Sequence, residues 1–138
     1  MIDTDETRRR PPRALIVDDD SAAVKFIADR CAKMGVAIET APNALQALVK
    51  ARQSPPDVLI VDMRMPDLDG RALYEEVERR WPAQAERIVF VTGDTLTAGL
   101  RDFVSESGRP VIEKPFLPVE VRRIVAELAI DRDVMPRK

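Results

Sequence analysis

Apolar residues in this chain follow two alternating rhythms. Unbroken runs stand at ALIV (14–17), VLIV (58–61), IVFV (88–91) and VI (111–112). Between them, apolar residues recur every three or four positions. Runs of that length read as strands buried on both faces. The three-to-four spacing reads as helices with one apolar stripe. VAIETA (36–41) alternates instead, as a strand near a sheet edge does.

The helices have readable ends. After a first strand over 14–18, Asp20 or Ser21 can cap a helix carrying Val24, Ile27, Ala28, Cys31 and Met34, and Gly35 stops it. Asn43 can cap a second helix carrying Leu45, Leu48 and Val49, broken by Ser54-Pro55-Pro56. A third carries Leu73, Val77 and Trp81, and Pro82 ends it. A fourth carries Leu96, Leu100, Phe103 and Val104 and ends at Gly108. Gly99 weakens that helix by about 1 kcal/mol relative to alanine. The last carries Leu117, Val121, Ile124, Val125 and Leu128. Five strands alternating with five helices predict an α/β domain over 14–130, a parallel sheet with helices on both faces and right-handed crossovers. Residues 1–13 read as a solvated lead-in or linker, whose Arg8–Arg10 cluster with Arg13 could touch an acidic partner. Residues 131–138 read as a charged tail.

Composition narrows the chemistry. The 138 residues suit one domain. Hydrophobic residues make up 45% but aromatics only 4%, so aliphatic side chains must fill the core. A net charge of -2 and a pI near 5.3 argue against nucleic-acid binding by bulk charge. No apolar stretch approaches the ~18 residues of a membrane span, and no apolar segment of a signal peptide follows the polar N-terminus. The single cysteine, Cys31, excludes an intrachain disulfide and fits the cytoplasm. It lies on an apolar helix face, as a buried small hydrophobe would. The absence of histidine removes His-based metal sites, Ser-His-Asp triads and histidine phosphotransfer within this chain.

The strand ends carry the chemistry. ALIV runs into Asp18 and Asp19, VLIV into Asp62, IVFV into Thr92, and PVI, one residue later, into Lys114. In an open parallel sheet, ligands bind beyond the carboxyl ends of the strands. Taken singly, each residue has a bland reading. An aspartate at a strand end commonly caps a helix, which suits Asp20. Threonine favours strands, and Lys-Pro can simply start a loop. Together they form a set that a core does not use. Carboxylates this close repel, so a cation should accompany them. Oxygen ligands without His or Cys point to Mg2+. Asp62 could then attack phosphorus, since carboxylates do act as phosphoryl acceptors. Lys114 supplies positive charge, Thr92 a hydroxyl hydrogen bond, and Gly93 room and a backbone N–H.

The segments LIVDDD, VLIVDMRMPDLDG, FVTGD and VIEKPF, in this order, resemble a bacterial two-component response-regulator receiver domain from about Arg13 to Ile130. The resemblance implies a flavodoxin-like fold: a doubly wound five-stranded parallel sheet in order 2-1-3-4-5 with five helices. It implies that Asp62 is the phosphoacceptor, charged from a phosphohistidine on a sensor histidine kinase or histidine phosphotransfer protein. Asp19 and Asp62 would bind Mg2+ directly, with the backbone carbonyl of Arg64 as a third ligand and Asp18 acting through water. Thr92 and Lys114 would contact the phosphoryl oxygens, helped by the amides of Arg64 and Gly93. Pro66 and Gly70 would shape the loop after the acceptor, and Lys114–Pro115 would be cis. The first helix and the loop after Lys114 would meet the phosphodonor. Such a protein is a signalling receiver, not an enzyme beyond its own phosphorylation and dephosphorylation.

The sequence departs from that pattern at Val111. Many receivers carry Tyr or Phe three residues before the lysine; valine is small and can simply fill the strand. GRPVIEKPF looks more like receivers attached to hybrid sensor kinases, which fits a relay role. Arg64 and Asp94 could pair across the site mouth. Two other readings compete. A haloacid-dehalogenase-type phosphatase also uses an Asp-x-Asp start, but needs a late acidic pair, and Asp131 and Asp133 fall in the tail. A receiver fold serving only as an interaction module would not need Asp18, Asp19, Asp62, Thr92 and Lys114 all intact.

Overall fold

Five parallel strands, β1 (Arg13–Val17), β2 (Ala37–Ala41), β3 (Val58–Asp62), β4 (Ile88–Thr92) and β5 (Val111–Glu113), form one sheet in the order β2-β1-β3-β4-β5. This is the doubly wound, flavodoxin-like receiver arrangement expected from the sequence. The computed structural model describes residues 11–63, 70–93 and 98–134, the last six by backbone alone. The apolar runs at 58–61 and 88–91 become strands buried at every residue, as central strands must be. The alternating segment becomes edge strand β2, and β5 buries only its middle residue.

The described residues form six helices, five between strands and the last after β5: α1 (Ser21–Lys33), α2 (Ala44–Gln53), α3 (Gly70–Arg80), α4 (Pro82–Ala85), α5 (Ala98–Ser107) and α6 (Pro118–Val134). The caps are the expected ones. Asp20 accepts from the Ala23 amide and Asn43 from the Gln46 amide. Gly35 and Gly108 take positive φ just past the ends of α1 and α5, where a side chain would be strained. The sixth helix corrects the expected count of five. Pro82 ends α3, but proline also suits the first position of a helix. A single turn, α4, therefore restarts at once, with the amides of Gln84 and Ala85 donating to the Trp81 carbonyl.

Alternate strand residues feed two cores. Leu15, Val17, Leu59, Val61 and Phe90 face α2, α3 and α5. Ala14, Ile16, Ile60, Val89 and Val91 face α1 and α6, where Val24, Ile27, Cys31, Val121, Ile124 and Val125 lie. Two predicted stripes need correction. In α2 the buried face is Ala44, Ala47 and Ala51, while Leu45 and Val49 are 71% and 49% exposed. Three alanines also repeat at helical spacing, and their small side chains sit closest to the sheet. Leu117 is 60% exposed and precedes α6. Its amide donates to Glu120 Oε1 and its carbonyl accepts from the Glu120 amide, a capping role outside the stripe.

The ends also shift. Arg13 belongs to β1 rather than to a tail. Its amide donates to Asp57 and its guanidinium to the carbonyls of Ser54 and Pro55. Likewise α6 continues to Val134, beyond the expected boundary at 130. Arg8–Arg10 and Leu96 lie outside the described residues. No helix among those described is long and apolar enough to cross a membrane.

Candidate functional site

Strand register brings the predicted residues to one edge. Val17 pairs with Val61, so Asp18 and Asp62 follow at the same level. Asp62 pairs with Val91, placing Thr92 one step beyond. Thr92 pairs with Glu113, and the Lys114 amide donates to the Thr92 carbonyl at 2.8 Å. Among the described residues, the buried polar side chains are Asp18, Asp62 and Thr92, all at this edge. Burying polar groups is costly unless they are paired, so their concentration here needs a chemical reason.

Local contacts hold the carboxylates apart from their helix. Asp18 accepts from the Asp20 amide at 2.9 Å, and Asp20 in turn caps α1. Asp20 thus serves the helix cap, while the carboxylates of Asp18 and Asp19 stand beside Asp62. Oxygens of Asp18, Asp19 and Asp62 lie within 4.8 Å of one another. Lys114 Nζ donates to Asp62 Oδ2 at 2.9 Å and lies 3.4 Å from Asp18 Oδ2.

The electrostatics follow from that crowding. Burial pushes the Asp18 carboxyl up, and the charge of Asp62 adds to the rise; the Asp20 amide and Lys114 only partly offset them. Burial alone would lower Lys114. The hydrogen bond to Asp62 and the charges of Asp62 and Asp18 outweigh it and hold the ammonium above its ordinary value.

The flanking residues shape the space. A Cβ on Gly93 would meet nothing within 4 Å, so the region before it is open, as expected. A Cβ on Gly70 would meet Met63 Sδ at 2.8 Å, Met63 Cα at 2.9 Å and the Asp62 carbonyl at 3.1 Å. Glycine there lets α3 start directly against the backbone of the Asp62 strand end. Lys114–Pro115 is cis, as expected. Val111 does not fill the strand: it is 43% exposed on the free edge of β5. A short edge strand leaves such a side chain uncovered. Arg64, Pro66 and Asp94 lie outside the described residues.

Two features go beyond the sequence reading. The expected phosphodonor surface, between α1 and the loop after β5, is an apolar groove of about 580 Å³, a character that the sequence reading did not give it. Phe26 and Ile27 line it from the helix and Phe116 and Leu117 from the loop, with Asp18 and Lys114 also on its wall. The Arg30 guanidinium lies 4.8 Å over the Phe26 ring. The available signal was an aromatic residue off the buried stripe of α1. The other is a cluster of three rings, Tyr74, Phe90 and Phe103, with centroids 5.5–5.7 Å apart. Its members are too far apart in sequence for periodicity to join them.

Comparison with known proteins gives one pattern. The model of the response regulator receiver domain matches residues 14–126. A protein-glutamate methylesterase/protein-glutamine glutaminase 1 of Anaeromyxobacter dehalogenans is 30% identical over 83% of this chain and 34% of its own length. The Escherichia coli transcriptional regulatory protein GlrR is 28% identical over 74% of this chain and 24% of its own length. The chain thus spans about a third or less of these relatives. Among solved structures, a CheY-like response regulator receiver domain protein from Methanospirillum hungatei superposes with a TM-score of 0.78. It has 25% identity and covers 88% of this chain and 96% of that one.

Proposed function

The chain belongs to the response regulator receiver domain family, and from that premise we propose that Asp62 accepts a phosphoryl group from a phosphohistidine donor. The observation that carries this reading is the buried Asp62 carboxylate held 2.9 Å from Lys114 Nζ beside two further carboxylates. In the transfer, an Asp62 oxygen bonds to phosphorus as the N–P bond of the phosphohistidine breaks. The electron pair of that bond returns to the imidazole. Lys114 already sits at the carboxylate and can follow the charge onto a phosphoryl oxygen. Thr92 donates its hydroxyl hydrogen to another, and Gly93 leaves space in front of the strand end. Hydrolysis then restores the Asp62 carboxylate and releases phosphate.

Three oxygen ligands within 4.8 Å, with no histidine in the chain, fit a hard divalent cation such as Mg2+. Asp18, Asp19 and Asp62 would hold it, with the backbone carbonyl of Arg64 as the family likeness implies. When bound, the ion neutralises charge on the transferring group. The groove beside Lys114 supports docking of a sensor histidine kinase or histidine phosphotransfer protein there, in the cytoplasm. The GRPVIEKPF segment supports a relay role of the kind found in hybrid kinases.

Acetyl phosphate with Mg2+ tests the reading. Intact mass should rise by one phosphoryl group in the wild type and not in Asp62→Asn. Equal labelling of both proteins would refute the assignment, as would no labelling of either.

A further inference from the structure

The ring cluster joins the two sides of the phosphoryl site. Phe90 is fully buried on β4, two residues before Thr92 and therefore on the same face of the sheet. Its ring lies 5.7 Å from Tyr74 and 5.7 Å from Phe103, which are themselves 5.5 Å apart edge to face. The Arg71 guanidinium lies 5.1 Å over Phe103 and is held by Glu75 at 3.1 Å. Arg71 and Tyr74 belong to α3, whose first residue, Gly70, is packed against the backbone of Asp62 and Met63. A chain of packed contacts therefore runs from Asp62 through α3 to the rings, and back along β4 to Thr92. On the other side of Phe90, its register partner Val111 is small and partly exposed.

We propose that Tyr74 and Phe103 are positioning residues: by gripping Phe90 they set the distance between Thr92 and Asp62. The inference rests on Asp62 being the phosphoacceptor. It goes beyond that reading by assigning a role to side chains that touch neither the phosphoryl group nor the metal. Two of the three carboxylates of the metal site, Asp18 and Asp19, follow β1, which does not pair with β4; Phe90 itself pairs with Val61 of β3, one residue before Asp62. Loosening the rings should therefore weaken phosphoryl recognition and spare metal binding.

Calorimetric titration separates the two. Mg2+ alone probes the carboxylates, and beryllofluoride in saturating Mg2+ probes the completed site. Tyr74→Leu and Phe103→Leu should keep Mg2+ affinity within about twofold and lose roughly three- to thirtyfold in beryllofluoride affinity. Tyr74→Phe keeps the ring and should match the wild type. If either leucine variant fails to fold, Arg71→Ala carries the test. It lifts the cation from Phe103 at a half-exposed position and should give a smaller loss in the same direction. Unchanged beryllofluoride affinity in the folded variants would overturn the inference alone. So would equal losses for metal and beryllofluoride, which mean general loosening. A wild-type protein that binds no beryllofluoride would overturn the phosphoacceptor reading and this inference with it.

Discussion

The same substitution should have opposite signs at Gly70 and Gly99. Alanine at Gly70 puts a methyl group 2.9 Å from Met63 Cα and 2.8 Å from its sulfur. Met63 is fully buried, so neither atom can retreat into solvent. Overpacking of this kind costs about 1–3 kcal/mol. Replacing glycine in a helix returns up to ~1 kcal/mol, less at its first residue. Sterics win, and Gly70→Ala should destabilise by about 1–2 kcal/mol. At Gly99 a Cβ meets nothing within 4 Å and the residue is exposed in α5. There only the backbone term remains, and Gly99→Ala should stabilise by about 0.4–1 kcal/mol. Urea titration reads both. With a slope near ~2 kcal/mol/M, the Gly70→Ala midpoint should fall by roughly 0.5–1 M. A Gly70→Ala protein as stable as the wild type would refute the close-packing argument. A destabilised Gly99→Ala would refute the claim of open space.

Three further outcomes follow from the site and core. Lys114→Met should destabilise the metal-free protein by about 1–2 kcal/mol, since it leaves Asp62 and Asp18 without their ammonium; added Mg2+ should narrow the difference in urea titrations, and an undiminished gap would contradict this. Asp18 has its pKa raised by burial, so its contribution to stability is present below the ordinary value of 3.8 and is lost as pH rises through the folded value. At neutral pH the ionised group therefore opposes folding, and Asp18→Asn should raise the melting temperature of the metal-free protein; a lower one would count against that sign. Burial also pushes the Cys31 thiol up, so its contribution holds below 9.0 and fades at higher pH, and Ellman's reagent should react with it only as fast as the protein opens. Rapid labelling of native protein would show the thiol to be accessible.

The central strands were legible because their apolar runs are unbroken, and an unbroken run has only one way to be buried on both faces. The site was legible for the same reason, since each run ends abruptly on Asp18, Asp62 or Thr92. The helices were harder. In α2, apolar size pointed to Leu45 and Val49, but proximity to the sheet favoured Ala44, Ala47 and Ala51. Side-chain size measures what burial would gain, not how close a helix can approach. Leu117 matched the last stripe by spacing but serves the cap through Glu120. Arg13 looked like part of a charged tail because its partners, the carbonyls of Ser54 and Pro55, are over forty positions away. Contacts of that range leave no periodic mark, and the ring cluster was hidden for the same reason.

The two ends of the sheet divide the charged residues between structure and chemistry. At the ends where the strands begin, arginines bind backbone carbonyls, and Arg13 also pairs with Glu39. Arg13 binds the Ser54 and Pro55 carbonyls, Arg87 the Leu128 carbonyl at 2.6 Å, and Arg109 the Ile88 carbonyl at 3.1 Å. At the ends where the strands finish, the ammonium of Lys114 pairs with Asp18 and Asp62, and Asp19 lies beside them, so three carboxylates and one ammonium leave two excess negative charges in that group. A phosphoryl dianion approaching that excess would be repelled. A divalent cation would remove it before transfer. That ordering accounts for why the acids are clustered and partly desolvated, at an expense in stability that Asp18 records. On the proposed reading, a cation bound there would offset the repulsion that disfavours the metal-free fold, and only the metal-loaded protein should be ready to receive phosphate.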